Sequence, residues 1–434
     1  AVEAGGVPGG NTASTADHAV RLFNAFISYD FHPCGSEKGC GPDCPEGYYR
    51  YQPTFTAFAG KVQPFFGLEE ILGSGTEQFV EFSMADWFFD ADDNNEMTGV
   101  GGQVRAFDDR LFGQVMITNG NETQIANLQM DQMPGFQVGG WYDLGGTWNE
   151  QAKRWELFGD SISDIDYSVN PVARVGFATN FVPEGRRSLY TDAELNRIRV
   201  TSPAPGGTSI LQLLAGGGRN QNASASGVSP FALDAVDSYS YDVFWAGKWR
   251  GFSLYNEWWL RNLNNFRALR SPAVGGTPTT NNTGVDNPIL YSSTIAGTTA
   301  ASLFPQNRGL IDYGFSLQGG YFVVPRKLEI AGRWAWIRGQ SGNSNGDGTF
   351  STVNINGVQG GAVRVVNNAF KEFSEANEYA VGINYYFYRQ MVKWQTDFSV
   401  YTGSGNPAAG GQSPAGFIPG VNGYMIRSQI QLQF

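Results

Sequence analysis

Downstream of Asp237, apolar and polar residues alternate one by one. In SYSYDVFWAGKW, Tyr239, Tyr241, Val243, Trp245, Gly247 and Trp249 share one side and Ser238, Ser240, Asp242, Ala246 and Lys248 the other, with Phe244 the exception. A period of two marks a strand with one apolar face. Arg250 and Gly251 make a two-residue turn into FSLYNEWWLRNL, where Phe252, Leu254, Trp258 and Leu260 keep the register, so the pair predicts a hairpin. The device recurs twice: 311–324, a turn at 325–327 and 328–338; then 378–388, a turn near Arg389 and Gln390, and 392–401. Upstream, TGVGGQVRAF and RLFGQVMIT meet near Asp108 and Asp109, and a further turn falls between Phe31 and Tyr48. A wider connection, 145–170, joins 136–144 to 172–182. The period gives about thirteen strands in all.

Between the hairpins lie long segments rich in Gly, Asn, Ser and Thr, at 264–310, 341–375 and 403–423, so short and long connections alternate. An outer-membrane barrel has this asymmetry built in, with short periplasmic turns on one rim and long extracellular loops on the other. The last run, YMIRSQIQLQF, sets Tyr424, Ile426, Ile430, Leu432 and Phe434 on one side and Arg427, Gln429, Gln431 and Gln433 on the other. Its terminal phenylalanine resembles the closing strand that such barrels present to their assembly machinery. The expected fold class is all-β: a transmembrane antiparallel β-barrel with long extracellular loops and short periplasmic turns. The absence of an apolar run of 18 residues excludes a membrane helix but not a barrel, whose strands need only every second residue to be apolar. Residues 1–18 read as an N-terminal segment or loop and 19–434 as the barrel. The opening AVEAGGVPGGNTASTADH has neither the basic start nor the apolar centre of a signal peptide. By strand parity the first visible strand, 21–31, runs downward, which leaves room for strands ahead of Ala1.

Composition narrows the function classes. Only 16% of residues are charged, 14% are aromatic and 57 are glycine. A disordered acidic chain would lack these rings. The net charge of −11 argues against a nucleic-acid partner, which needs a concentrated Lys/Arg surface. An enzyme is not expected: the two histidines, His18 and His32, both lie near the start, and no nucleophile elbow is present.

The stretch GKVQPFFGLEEILGSGTEQFVEFSMADWFF, from Gly60 to Phe89, resembles the phosphate-selective porin O and P family, in which a strand ends in a Gly-Lys-x-x-x-Pro-Phe-Gly-Leu-Glu-like motif before a long loop. VMITNGNE, GGYFVVPRKLEIAGRWAWI, VGINYYFYRQMVKWQTDFSVY and the closing strand are also similar. The resemblance implies a barrel of about 16 strands, a homotrimer, and an inward-folded loop, here near 65–97, that narrows the pore. Where the family often has Glu-Arg-Ser after that loop, this chain has Glu81-Phe82-Ser83, and no dense set of arginines suggests a phosphate ladder.

If the apolar sides meet lipid, the other sides line the lumen. The candidate pore-lining cations are Arg50, Arg105, Arg110, Arg174, Lys248, Arg261, Arg333, Lys393 and Arg427, and the anions Asp30, Asp242, Glu257, Asp312, Glu329, Glu378 and Asp397. That balance suggests weak selectivity for small hydrophilic solutes, with the negative excess in loop residues such as Asp86. Each such residue could equally pair across strands and satisfy its neighbour. The candidate constriction residues are Phe65, Phe66, Glu69, Glu70 and Glu81; the other reading of that loop is an extracellular flap packing its own aromatics. Asp90, Asp92, Asp93 and Glu96 offer the oxygens calcium prefers, although a solvated acidic loop fits their spacing better. No other cofactor is expected. Cys34, Cys40 and Cys44 lie beside His32 in CGSEKGCGPDC. One disulfide is the preferred reading, leaving one thiol over, with a Cys3His metal site and an attachment or intermolecular role as alternatives. Trp249, Trp258, Trp334, Trp336 and Trp394 suit interfacial girdles.

The expected function is an outer-membrane porin, a water-filled channel for small hydrophilic solutes and ions, with outer-membrane lipid and lipopolysaccharide as surroundings. The rival reading is a structural or interaction barrel with an occluded pore that binds a cell-envelope partner.

Overall fold

The computed structural model describes residues 2–5, 21–31, 53–73, 76–89, 97–118, 134–150, 154–186, 235–267, 294–295, 298–299, 310–339, 350–354, 362–366, 374–404 and 423–432. In chain order the elements are β1 (Val2–Gly5), β2 (Arg21–Phe31), β3 (Thr54–Val62), α1 (Leu68–Leu72), α2 (Met84–Phe89), β4 (Met97–Ala106), β5 (Leu111–Thr118) and β6 (Gly135–Gly145). Then come β7 (Thr147–Asn149), β8 (Arg154–Glu156), β9 (Val172–Arg186), β10 (Ala235–Trp249), β11 (Phe252–Arg267), β12 (Thr294–Ile295) and β13 (Thr298–Thr299). The chain continues with β14 (Leu310–Val324), β15 (Leu328–Gly339), β16 (Phe350–Asn354), β17 (Ala362–Val366), β18 (Ser374–Tyr388), β19 (Val392–Ser404) and β20 (Gly423–Leu432).

Fourteen of these strands form one sheet in the order β1-β2-β3-β4-β5-β6-β9-β10-β11-β14-β15-β18-β19-β20, each antiparallel to the next. Among the described residues no ladder joins β1 to β20, so the described sheet is open where a cylinder would close. The resemblance implies about 16 strands, and the described part supplies fourteen. The remaining pairs, β7-β8, β12-β13 and β16-β17, are small hairpins inside connections.

The burial of the strands is inverted relative to a water-soluble sheet. On β10, Tyr241, Val243 and Trp245 are 47%, 56% and 41% exposed, while Asp242 between them is 1% exposed. On β11, Phe252, Trp258 and Leu260 point outward and Glu257 and Arg261 are buried. Trp249, Trp334 and Trp394 are exposed as expected for outward rings, and Trp336 is half-buried. A wall with its apolar face out and its charges in is stable only where the outside is hydrocarbon.

Phe244 is the exception that the alternation flagged. It is inward and 1% exposed. Tyr255, Trp259, Phe322 and Tyr386 are also apolar or aromatic side chains buried on the polar side, so something inside the sheet covers them.

The tight turns follow their sequence. Trp249 pairs with Phe252, and the two turn residues both have positive φ, Arg250 at 49° and Gly251 at 82°, as the right-handed twist of a two-residue hairpin requires. Arg326 and Arg389 take positive φ in the turns at 325–327 and 389–391, and Phe107, Asp108 and Asp109 do so in the turn after β4. A Cβ at Gly251 would meet the Tyr167 ring at 2.5 Å. Gly251→Ala is therefore expected to lower stability by about 1 kcal/mol from backbone strain alone, and more from the clash, seen as an earlier midpoint of urea unfolding in detergent.

Candidate functional site

The cover is the connection between β3 and β4. Instead of leaving the rim it turns into the sheet, and its two short helices lie against the inner face. Gly67 has φ +81°, and a Cβ there would meet Asp86 Oδ1 at 2.9 Å, so glycine both allows the turn and lets α1 approach α2. Phe65 is 3% exposed and packs on Phe112, Trp141 and Phe244, with ring centroids 5.5, 5.3 and 6.4 Å away. Gly139 leaves the space that the Phe65 ring occupies. Phe79 packs with Ala331 and Ala380 beneath the Arg333 guanidinium, and Phe89 stacks on Trp259 at 5.8 Å.

Polar groups of the wall receive the backbone of this segment. Four wall carboxylates accept amide hydrogens: Asp242 from Gly67 (3.2 Å), Glu257 from Leu68 (2.8 Å), Asp397 from Val80 (2.9 Å) and Glu378 from Met84 (2.7 Å). Gln137 Oε1 accepts from the Phe65 amide at 3.0 Å. In the other direction, Lys393 Nζ and Gln395 donate to the carbonyl of Glu77, Asn384 to that of Gln78 and Arg333 to that of Glu81, all within 2.7–2.9 Å. An irregular backbone enclosed by a barrel has to find such partners, because every unpaired amide costs free energy. Hydrogen bonds to charged groups contribute about 1.5–3 kcal/mol each, so the four carboxylates alone hold the segment firmly.

The predicted wall residues are thus brought together, but as a bed rather than a bare lining. Arg333 donates to Glu378 at 2.6 Å, Arg261 to Asp312 at 3.1 Å, Arg174 to Asp143 through Nε and Nη2, and Arg427 to Asp397 at 2.8 Å. Lys248, Glu329 and Lys393 are buried. Glu329 gathers Gln78, Ser163, Asn384 and the Tyr386 hydroxyl as donors. Of the constriction candidates, Phe65, Phe66, Glu69 and Glu70 are buried and Glu81 is exposed. Asp86, read from the sequence as a loop charge, is 2% exposed inside the fold, because α2 carries it against α1. Burial pushes the carboxyls of Glu69, Glu77 and Asp86 above their ordinary range, and the crowding of Glu70 and Glu69 pushes Asp86 further.

A second segment, unsuspected from the sequence, folds inward from the short-turn end. The connection between β6 and β9 carries the β7-β8 hairpin and then buries Phe158, Ile162 and Ile165. Lys248 Nζ donates to the Phe158 carbonyl at 2.7 Å and lies over its ring. Asp164 accepts from the Gly251 amide and from the Ser168 amide and hydroxyl. Ser161 Oγ donates to the Thr76 carbonyl at 3.2 Å, so the two inward segments touch. The signal in the sequence was the length of 145–170, which the tight turns β10–β11, β14–β15 and β18–β19 on the same rim do not share.

Side chains on the early strands are less covered. Arg105 is exposed, with its guanidinium 5.0 Å from the Phe112 ring, and Asp30 is exposed and accepts from Thr56 Oγ1 at 2.6 Å. Arg105 also lines a cavity of about 1120 Å³ at the short-turn end, shared with Asp108, Trp141, Asp143, Trp155 and Arg326. Arg110 donates to the carbonyls of Asp143 and Gly145 beside it. Arg50, Cys34, Cys40 and Cys44, and the calcium candidates Asp90, Asp92, Asp93 and Glu96, lie outside the described residues.

Comparison with known proteins gives the architecture a context. No family model matches the chain. No curated protein matches it either. Among solved structures it is similar to outer-membrane β-barrel proteins. OmpT of Vibrio cholerae is 8% identical, with 87% of this chain and 78% of that one covered, at a TM-score of 0.39. The outer-membrane channel DcaP of Acinetobacter baumannii is 8% identical, with coverage of 96% and 76% and a TM-score of 0.36. OccAB3 of Acinetobacter baumannii is 8% identical, with coverage of 93% and 96% and a TM-score of 0.20. The outward direction of the apolar side chains independently makes this sheet a membrane wall.

Proposed function

We propose that the protein is a weakly selective diffusion channel of the bacterial outer membrane for small hydrophilic solutes and ions, with residues 63–89 as its constriction. One observation carries this reading: wall groups from β6 to β19 hold the inward segment through its own backbone, while Arg105 and Asp30 on the early strands stay exposed. Solutes then pass along β2 and β4, past Asp30 and Arg105, and through the cavity beside Arg105, and the mixed charges there set a weak preference. Membership of the phosphate-selective porin O and P family, a homotrimeric state and contact with lipopolysaccharide are the finer forms of the same reading, supported by the Gly60–Phe89 motif.

In planar bilayers the protein is expected to give a steady ohmic current. Arg105→Glu should move the reversal potential under a salt gradient toward cations. The contact of Ser161 with Thr76 favours a second reading, a barrel occluded by its two inward segments and serving as a scaffold for a cell-envelope partner. That reading predicts no current in wild type or variant.

A further inference from the structure

The neutral groups of the less covered wall form a row with a fixed direction. Asp30 on β2, Thr56 on β3, Gln103 on β4 and Gln114 on β5 are successive partners across the sheet. The Phe65 backbone amide can only donate, so its bond to Gln137 makes that side-chain oxygen an acceptor. Gln114 Nε2 donates to the same oxygen at 3.3 Å, and Gln103 Nε2 donates to Gln114 Oε1 at 2.8 Å. The inward segment thereby orients both outer amides, and the row ends on half-buried Gln103 with its Oε1 as an acceptor. Thr56, also half-buried, spends its proton on Asp30.

Arg105 stands two residues farther along β4, about 7 Å nearer the short turns, and is exposed. It joins this row to the cavity of about 1120 Å³, whose lining includes Trp148, Trp155 and Tyr167 together with the carboxylates of Asp109, Glu156 and Asp160. Trp148 and Trp155 pair across the β7–β8 hairpin with centroids 5.7 Å apart, and Arg110 lies 4.4 Å over Trp155. All three rings are half-buried, and they lie on the inner side of the wall with Asp143 and Arg174, away from lipid.

These groups select a ligand class. Arg105 and Arg326 stand among the carboxylates, so an ion of either sign meets repulsion along with attraction. A hydroxyl both donates and accepts, and so pairs with Gln103 Oε1, the carboxylates and the Arg105 guanidinium alike. A sugar ring adds an apolar C–H face that an aromatic ring can cover. The volume slightly exceeds the roughly 300–1,000 Å³ of small-molecule sites, which leaves room for two linked rings.

We propose that the path from Gln103 into this cavity binds neutral polyhydroxylated solutes of disaccharide size: Gln103 and Arg105 hydrogen-bond their hydroxyls, and Trp148, Trp155 and Tyr167 receive their ring faces. The proposal rests on the channel reading and deepens it by naming the solute class, while its binding readout does not need conduction.

The test is saturation-transfer NMR on the protein folded in a detergent without a sugar headgroup, with sucrose, sodium acetate and choline chloride as probes, and bilayer recordings alongside. Transfer to sucrose is expected to exceed transfer to acetate and to choline severalfold. Gln103→Leu on β4 should weaken sucrose binding about two- to tenfold, as the loss of one hydrogen bond does, and Trp155→Ala on β8 by at least as much. Trp334→Ala, on the lipid face, should leave it unchanged. Two site variants in different elements guard against one failing to fold. Transfer to sucrose no stronger than to either ion, or equal in wild type and both site variants, overturns the site, and a steady current in that case leaves the channel reading standing. Sucrose binding that both site variants weaken, in a protein that passes no current, supports the site and overturns the channel reading instead.

Discussion

Replacing residues 66–89 with a short Gly-Ser linker is expected to raise single-channel conductance severalfold while the barrel still folds. The segment buries Leu68, Phe79 and Phe89 against the wall and covers the inner side chains from β10 to β19. Removing it widens the aqueous cross-section, which together with lining charge governs passage. The loss in stability is limited for a physical reason. Asp242, Glu257, Glu378, Asp397 and Lys393 lose backbone partners but regain water, and a hydrated charge does not carry the penalty of a buried unpaired one. Conductance recorded across many single insertions checks the expectation; an unchanged value would mean that the current runs elsewhere.

Arg333→Met should have the largest effect on stability, about 3–5 kcal/mol, because it leaves Glu378 buried without its cation. The same change removes the donor to the Glu81 carbonyl and the guanidinium over Phe79. Adding Glu378→Gln to Arg333→Met should recover a good part of the loss, since it removes the stranded charge and keeps an acceptor for the Met84 amide. Equilibrium unfolding in urea, followed by tryptophan fluorescence in detergent, gives both numbers. If the single variant unfolds like wild type, the pair is solvated and the segment does not shield it.

The hairpins were legible because a period of two survives in any strand with unlike faces, and Arg250-Gly251 announces its own turn. The orientation of the faces was legible too: Asp242, Glu257, Arg333 and Lys393 all lie on the polar side, as the alternation requires. The bed they form was not. The Gly67–Asp242 and Val80–Asp397 bonds join residues 175 and 317 positions apart, and neither partner carries a mark of the other in its local pattern. Neutral groups were missed for a related reason. Gln78, Asn384, Gln395 and Tyr386 also hydrogen-bond within the bed, but a count of charges passes over them. The inward fold of the β3–β4 connection was visible only through the family resemblance, because 63–89 has no strand period. The second inward segment had no such prompt, and Phe244, Tyr255, Trp259, Phe322 and Tyr386, rings on the polar side of their strands, were the local traces of what lies inside.

The distance along the chain between the segment and its bed has a kinetic meaning. Leu68 is emitted by the ribosome 189 residues before Glu257, and Met84 precedes Glu378 by 294. Closure of such long loops is slow, and the amides of 65–84 must stay hydrated until the later hairpins are laid down. Seating the segment therefore waits for the later hairpins, because its anchors run from Gln137 on β6 to Asp397 on β19.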